Sequence, residues 1–213
     1  MRCYLIRHGQ TLWNGQNRIQ GQSDQPLSPL GQEQAKRLGV RFAGHHLDGI
    51  FTSALQRSRQ TAEAIISGNG HEVRPVIDAE WGEMHLGDWE GLTPQEVDHR
   101  FANAYQQWRL KPSSVVIPGA EPVDAFRQRV RRAMERLVAN RSEGEYAVVS
   151  HGGVIASILA DFLGADYDQV IRRVRLDNAG VTALEFGSGS PHVVWINSTI
   201  HLEALGSAGV TWF

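Results

Sequence analysis

The sequence predicts an α/β protein built as a three-layer α/β/α sandwich, with a mainly parallel sheet and a helical insertion beside it. Short apolar segments alternate along the chain with amphipathic segments of helical period, and such alternation favours parallel strands joined by crossover helices. The 213 residues match the size of one domain, and a hydrophobic content of 41% is enough to fill its core. We therefore expect residues 1–213 to form a single domain.

The first half of the chain is predicted to contain three strands and two helices. Residues 3–7 have the composition of a buried strand, whereas the polar stretch 8–25 lacks periodicity and is predicted to be a loop. Ser28 followed by Pro29 is typical of a helix start, and apolar residues then recur at helical spacing as far as Phe42. The next predicted elements are a strand over 48–52, a helix over 55–66 whose start is marked by Thr52 and Ser53, and a strand over 73–77.

The second half begins with an irregular stretch and then returns to strand–helix alternation. The pattern weakens between residues 79 and 121, apart from one helix predicted over 94–108, so this stretch is expected to be an insertion beside the sheet. An amphipathic helix over 123–137 then leads to a strongly apolar strand over 146–150. The remaining predicted elements are a helix from Gly152 and Gly153 to residue 163, and strands over 181–186 and 193–196.

Composition and charge argue against several classes of function. Basic and acidic residues are interspersed and give a formal net charge of −2, which provides no field to hold nucleic acid or an anionic membrane. The single cysteine, Cys3, has no partner for an internal disulfide, in keeping with a reducing compartment. Neither a signal peptide nor a membrane span can be drawn, and a cytoplasmic location is expected.

Two of the predicted strands are followed directly by a histidine. His8 comes after the first strand, and His151 comes after the strand over 146–150. Ligands of parallel α/β sheets bind beyond the carboxyl ends of the strands. The two histidines are therefore expected to share one crevice.

Four segments, taken in order, carry a resemblance to a known family. They are LIRHGQT (5–11) with Trp13 and Asn14, TSALQR (52–57) leading to Gln60-Thr61-Ala62, EMHLGDWEG (83–91) and SHGG (150–153). With these motifs the chain resembles the histidine phosphatase superfamily, the phosphoglycerate mutase-like proteins, over about residues 3–200. The resemblance implies phosphoryl transfer through a phosphohistidine, with the insertion at about 79–121 over the active site. One departure is Gln10, at a position where the family often has glutamate.

The resemblance also implies roles for individual residues. His8 would be the nucleophile, and His151 would donate a hydrogen bond to the transferring group. Glu83 would protonate the leaving ester oxygen and later draw a proton from the attacking water. Glu80 and Glu90 lie nearby in the sequence and are the alternative candidates for this acid.

Phosphate binding calls for positive charge and neutral donors, since the chain has no metal or cofactor motif and neither is expected. Arg7 and Arg57 are the candidates, because a planar guanidinium grips phosphate oxygens with two hydrogen bonds. Two neighbouring arginines also disfavour the protonated form of the nucleophilic imidazole. Asn14 and Gln20 are expected to add neutral donors, and Gly152 allows the backbone to approach closely.

The expected function is hydrolysis of a small-molecule phosphate monoester, in the branch that resembles broad-specificity and α-ribazole phosphatases. A comparatively short insertion and the closing stretch 177–201 favour it over phosphoglycerate mutase-type transfer, which stays an alternative, as does an inactive phosphate-binding regulatory module. The sequence leaves open the substrate, the roles of His85 and His201, and whether the chain forms a homodimer. The pocket wall is expected from residues 81–125, whose aromatic, apolar and basic groups are Trp81, Met84, His85, Tyr105, Trp108, Arg109 and Lys111.

Overall fold

The computed structural model describes residues 1–70, 73–139, 141–187 and 191–205, and these contain one sheet of six strands. The sheet has the order β3-β2-β4-β1-β5-β6 and comprises β1 (Arg2–Arg7), β2 (Gly49–Thr52), β3 (Pro75–Ile77), β4 (Glu145–Ser150), β5 (Val181–Glu185) and β6 (His192–Ser198). β1 to β4 are parallel, whereas β5 is antiparallel to both β1 and β6. The predicted mainly parallel α/β sheet is confirmed.

Helices connect the strands and cover the sheet. They are α1 (Leu12–Gly15), α2 (Pro29–Arg41), α3 (Gln56–Asn69), α4 (Pro94–Arg100), α5 (Ala104–Leu110), α6 (Val123–Ala139), α7 (Gly152–Leu163) and α8 (Tyr167–Arg173). The start of α2 is as predicted, because Pro29 occupies its first turn and the Ser28 hydroxyl accepts a hydrogen bond from the Gly31 amide. Within the described ranges, no helix is long and apolar enough to cross a membrane.

The central strands β1 and β4 are buried on both faces of the sheet, which explains why they are apolar along most of their length. On one face, Cys3 and Leu5 of β1 pack with apolar residues of α6 and α7. On the other face, Tyr4 and Ile6 pack with apolar residues of α2 and α3. This alternation of β1 side chains between two cores makes the fold a three-layer sandwich.

The stretch 79–121 has a small core of its own. Trp89 is buried there, with Tyr105 at 6.2 Å between ring centroids, and Val97 and Ile117 complete the cluster. The predicted single helix over 94–108 is wrong, because residues 101–103 interrupt it and separate α4 from α5. Ala102 and Asn103 adopt φ of 49° and 61°, a left-handed conformation that no continuous right-handed helix accommodates.

Three other elements differ from the predictions. The stretch 8–25, predicted to be a loop, contains the single turn α1, which is too short to show a period and is held by a capping box between Thr11 and Asn14. The helix predicted over 55–66 is α3, which begins at Gln56 and continues to Asn69, and Thr52, expected to mark its start, is still paired in β2. The helix α8 was not predicted at all.

Candidate active site

The two histidines lie side by side at the carboxyl end of the sheet. β1 and β4 are adjacent and parallel, with Arg7 in register with Ser150, so the next residue of each strand is a histidine. The ring centroids of His8 and His151 are 5.2 Å apart, and the His8 amide donates to the Ser150 carbonyl at 2.9 Å. The shared crevice predicted from the sequence follows from this register.

His8 has a defined tautomer. Its Nδ1 lies 2.7 Å from the carbonyl oxygen of Gly9, which can only accept, so Nδ1 carries the proton and a neutral ring has its lone pair on Nε2. Burial, with the positive charges of Arg57 and Arg7 beside it, holds the pKa of His8 well below its usual value. His8 is therefore a neutral imidazole at physiological pH, and Asn178 fixes its backbone by donating to its carbonyl at 3.1 Å.

His151 is completely buried and is oriented by two serines. Its Nε2 lies 2.9 Å from the Ser53 hydroxyl and 3.3 Å from the Ser58 hydroxyl. Its Nδ1 is buried without a hydrogen-bond partner in the described part of the chain. Burial, with Arg57 and His8 next in importance, lowers the pKa of His151 well below its usual value. Both serines were missed from the sequence, where Ser53 had been read as part of a helix start.

The two predicted arginines are both buried at the site and are held by backbone carbonyls. Arg7 Nη1 donates to Leu176 O at 2.6 Å. Arg57 donates through Nη1 to Ser23 O at 2.8 Å and through Nη2 to Gly21 O at 2.7 Å. Burial lowers the pKa of each guanidinium to about 10, which still leaves both charged at neutral pH. The Arg57 Nε is buried without a partner among the described residues and remains a donor for an anion.

Of the three candidate carboxylates, only Glu83 lines the cavity that contains His8 and both arginines. Its Oε2 accepts from the Gly153 amide at 3.1 Å, and its Oε1 accepts from the Met84 amide at 2.9 Å. Glu80 instead forms ion pairs with arginines of α6. Glu90 accepts from the Gln22 and Leu86 amides and from the Ser23 hydroxyl. Glu90 thereby holds the loop whose carbonyls grip Arg57.

The predicted neutral groups also line the cavity. Through their side-chain oxygens, Asn14 accepts from the Thr11 backbone amide at 3.0 Å and Gln20 accepts from the Thr11 hydroxyl at 2.9 Å. The side-chain amide nitrogens are thus left as the donors. Gly152, the first residue of α7, lines the same cavity.

Several residues expected in the pocket wall lie elsewhere. Trp81 belongs to the core beside α6, and the exposed Arg109 and Lys111 do not line the cavity. His85 Nδ1 lies 2.9 Å from Gly119 O and holds the insertion together rather than facing the cavity. His201 contacts Arg41 of α2 at 3.3 Å, away from the cavity.

A second wall of the cavity was missed from the sequence. It comes from α8 and the segment after it, through Tyr167, Ile171, Val174 and Leu176. Tyr167 and Ile171 are four residues apart, and Ile171 and Val174 are three apart. This spacing is typical of one face of a helix and was the signal available in the sequence. Asn178, which holds the backbone of His8, follows this wall directly.

We expect the free energy of unfolding to fall as the pH drops below about 6.5, the value at which an unperturbed histidine titrates. The buried His8 and His151 stay neutral in the folded protein because their pKa values are lowered, so only the unfolded state takes up their protons. Linkage predicts a loss of about 3 kcal/mol for the two residues between about pH 7.5 and pH 5.5. Urea unfolding in phosphate-free buffer at the two pH values measures it.

The His8→Asn variant tests the source of this dependence. It removes one of the two groups, and we expect the acid-induced loss of stability to shrink by about 1.4 kcal/mol. His192→Asn, on the exposed edge strand β6, is the matched control and is expected to keep the full loss. An undiminished loss in His8→Asn contradicts a lowered pKa at His8.

Comparison with known proteins agrees with the motifs. The profile of the histidine phosphatase superfamily (branch 1) matches residues 3–199. The 2-carboxy-D-arabinitol-1-phosphatase of Triticum aestivum is 33% identical over 200 residues, 92% of this chain, and this chain spans 40% of its length. A protein of Serratia proteamaculans named probable phosphoglycerate mutase GpmB is 33% identical over 216 residues, which cover 97% of this chain and 93% of that protein.

Solved structures of the same size are also similar along nearly their whole length. YhfR of Bacillus stearothermophilus is 32% identical with a TM-score of 0.87, covering 94% of this chain and 98% of its own. A mycobacterial glucosyl-3-phosphoglycerate phosphatase in complex with VO3 is 31% identical with a TM-score of 0.83, covering 93% and 99%. On the match of its residues 3–199, the protein belongs to the histidine phosphatase superfamily, branch 1.

Proposed function

We propose that the protein is a metal-independent phosphatase, which hydrolyses a small-molecule phosphate monoester through a phosphohistidine on His8. The observation that carries the proposal is the state of His8: a neutral ring with its lone pair on Nε2, beside two charged arginines. A nucleophile of this kind is available at neutral pH without a base to deprotonate it. Relatives named as phosphatases support hydrolysis as the outcome.

In the first step, His8 Nε2 attacks phosphorus and the bond from phosphorus to the ester oxygen breaks. The leaving oxygen takes a proton from Glu83, whose two oxygens are held by backbone amides at the edge of the cavity. The phosphoryl group is then bonded to His8 and the alcohol departs.

In the second step, a water molecule attacks phosphorus and the bond to His8 Nε2 breaks. Glu83, now a carboxylate, takes a proton from that water, so inorganic phosphate is released and both residues return to their starting states. One carboxyl group serves both steps because the departing alcohol and the incoming water occupy the same side of phosphorus.

Negative charge on the phosphoryl oxygens is stabilised by donors already in place. Arg57 Nε and His151 Nδ1 are buried without partners in the described ranges, and we assign them to these oxygens. The carbonyls of Gly21 and Ser23 hold the Arg57 guanidinium, and Ser53 holds the His151 ring. Donors that are fixed before the reaction cost little reorganisation when charge develops.

Phosphoglycerate mutase-type transfer is the second candidate, favoured by the Serratia relative's name. The two activities differ in whether water or a second hydroxyl receives the phosphoryl group from His8. We expect phosphate release from alkyl and aryl phosphate esters without any added 2,3-bisphosphoglycerate, measured with a molybdate assay. Isomerisation of 3-phosphoglycerate that depends on 2,3-bisphosphoglycerate and releases no net phosphate contradicts the phosphatase proposal.

A further inference from the structure

We propose that the alcohol released by this enzyme is uncharged and carries an apolar or aromatic body. The inference rests on the proposed function, since it concerns the group that leaves when His8 is phosphorylated. It comes from two apolar walls of the cavity, one supplied by residues 84–108 and one by α7, α8 and the segment after α8, and from the charges that line them.

The first wall is supplied by the insertion and is mostly hydrocarbon and aromatic ring. Met84 and Leu86 follow Glu83 directly and line the cavity next to it. Tyr105 and Trp108 of α5 line it further out, with their rings stacked at 5.7 Å and an interplanar angle of 22°. An aromatic leaving group finds both a flat surface and apolar area here.

The second wall comes from a later part of the chain and is also apolar. Ile171 and Val174, on and after α8, line it together with Ala156 of α7. The wall begins at the phosphate site itself, because Leu176 lines the cavity while its carbonyl oxygen accepts from Arg7 at 2.6 Å. A substrate held by Arg7 therefore places the first atoms of its alcohol against apolar side chains.

Each cation that lines the described cavity already has a hydrogen-bond partner or a proposed role. Arg7 and Arg57 serve the phosphate, and Arg18 donates through Nη1 to Gly91 O at 2.6 Å and to Glu96 Oε2 at 3.1 Å. A carboxylate on the leaving group would thus be desolvated between apolar walls without a cation of its own. The basic Arg109, which the sequence placed in the wall, is exposed outside it.

The test compares alkyl esters of similar leaving-group acidity, so that chemistry at the ester oxygen varies little. We expect kcat/KM for 2-phenylethyl phosphate to exceed that for 3-phosphoglycerate and O-phosphoserine by roughly tenfold to a hundredfold, the range for burying one phenyl ring. Equal or higher kcat/KM for the two carboxylated esters overturns the inference.

A substitution in the second wall tests the cause. Val174→Arg places an additional cation beside the leaving group. We expect the kcat/KM for 2-phenylethyl phosphate, divided by that for 3-phosphoglycerate, to fall by at least about tenfold. Arg109→Ala is the matched control, and we expect it to leave the ratio unchanged. A ratio that responds to Arg109→Ala and ignores Val174→Arg overturns the assignment of the wall.

Binding separates failure of this inference from failure of the proposed function. The hydrolysis-resistant 3-phenylpropylphosphonate and a carboxyalkyl phosphonate of similar length are titrated into the protein by calorimetry. Tighter binding of the phenyl compound supports the apolar walls even when no ester is hydrolysed, an outcome that counts against the proposed function alone. Tighter binding of the carboxylated compound overturns the inference, whatever the turnover.

Discussion

Replacement of His8 by alanine is expected to lower kcat for every phosphate ester by at least about 10⁴-fold, the scale seen when a covalent nucleophile is removed. His8 supplies the side-chain lone pair that attacks phosphorus in the proposed first step, and neither arginine can replace it because both remain protonated. Acid or base quench during turnover of a labelled ester measures the intermediate. Wild-type protein should retain an acid-labile, base-stable label, and His8→Ala should retain none.

The control for this experiment is a histidine far from the cavity. His192→Ala lies on β6 at the exposed edge of the sheet and should keep both full activity and full labelling. Thermal unfolding shows whether His8→Ala is folded. A folded His8→Ala protein that still carries the label contradicts the assignment of the nucleophile.

Replacement of Glu83 by glutamine is expected to slow phosphorylation of His8 by alkyl esters by about 10²- to 10⁴-fold, the usual contribution of a general acid. Phosphorylation by p-nitrophenyl phosphate should change far less, because its leaving oxygen scarcely needs a proton. Pre-steady-state measurement isolates this step: the variant should release a rapid burst of one p-nitrophenol per protein and then turn over slowly, since water activation also needs Glu83. If phosphorylation by alkyl esters and phosphorylation by p-nitrophenyl phosphate are slowed equally, the role of Glu83 as the acid is contradicted.

A second variant tests the position of this carboxyl group while leaving Glu83 in the chain. A Cβ added at Gly153 would lie 2.5 Å from Glu83 Oε1, so Gly153→Ala must push the flexible carboxylate aside. We expect the same dependence on the leaving group as in Glu83→Gln, in a folded protein. Gly187→Ala is the control, since a Cβ there meets no atom of the described residues within 4 Å. An unaffected Gly153→Ala enzyme argues against the observed placement of the acid.

Much of the fold could be predicted because its main elements carry a strong local signal. β1 and β4 are buried on both faces and are therefore continuous apolar runs, and α2 has its Ser-Pro start. The missed features lack such a signal. α1 is a single turn, and the break at 101–103 depends on two left-handed residues that composition does not reveal.

The sequence by itself determined which residues belong together, because four short motifs name His8, Arg7, Arg57 and His151, with Glu83 as the first of three candidate acids. It also placed a histidine after each of two strands and so predicted a shared crevice at the carboxyl edge of the sheet. Neither prediction needed information about contacts between distant parts of the chain. The protonation and orientation of these side chains could not be predicted in this way, because they depend on hydrogen-bond partners and charges from segments that are remote in the sequence.

Only the tertiary structure decided which carboxylate lines the cavity that contains His8 and what else lines that cavity. Glu80, Glu83 and Glu90 are the same residue type in one short stretch of sequence. In the structure, arginines of α6 bind Glu80, and the loop that contains Gln22 binds Glu90. The apolar second wall is contributed by Val174 and its neighbours, more than 80 residues after Glu83 in the chain. The burial and the charge environment of a side chain arise from contacts between segments that are far apart in the sequence, so they cannot be predicted from one segment alone.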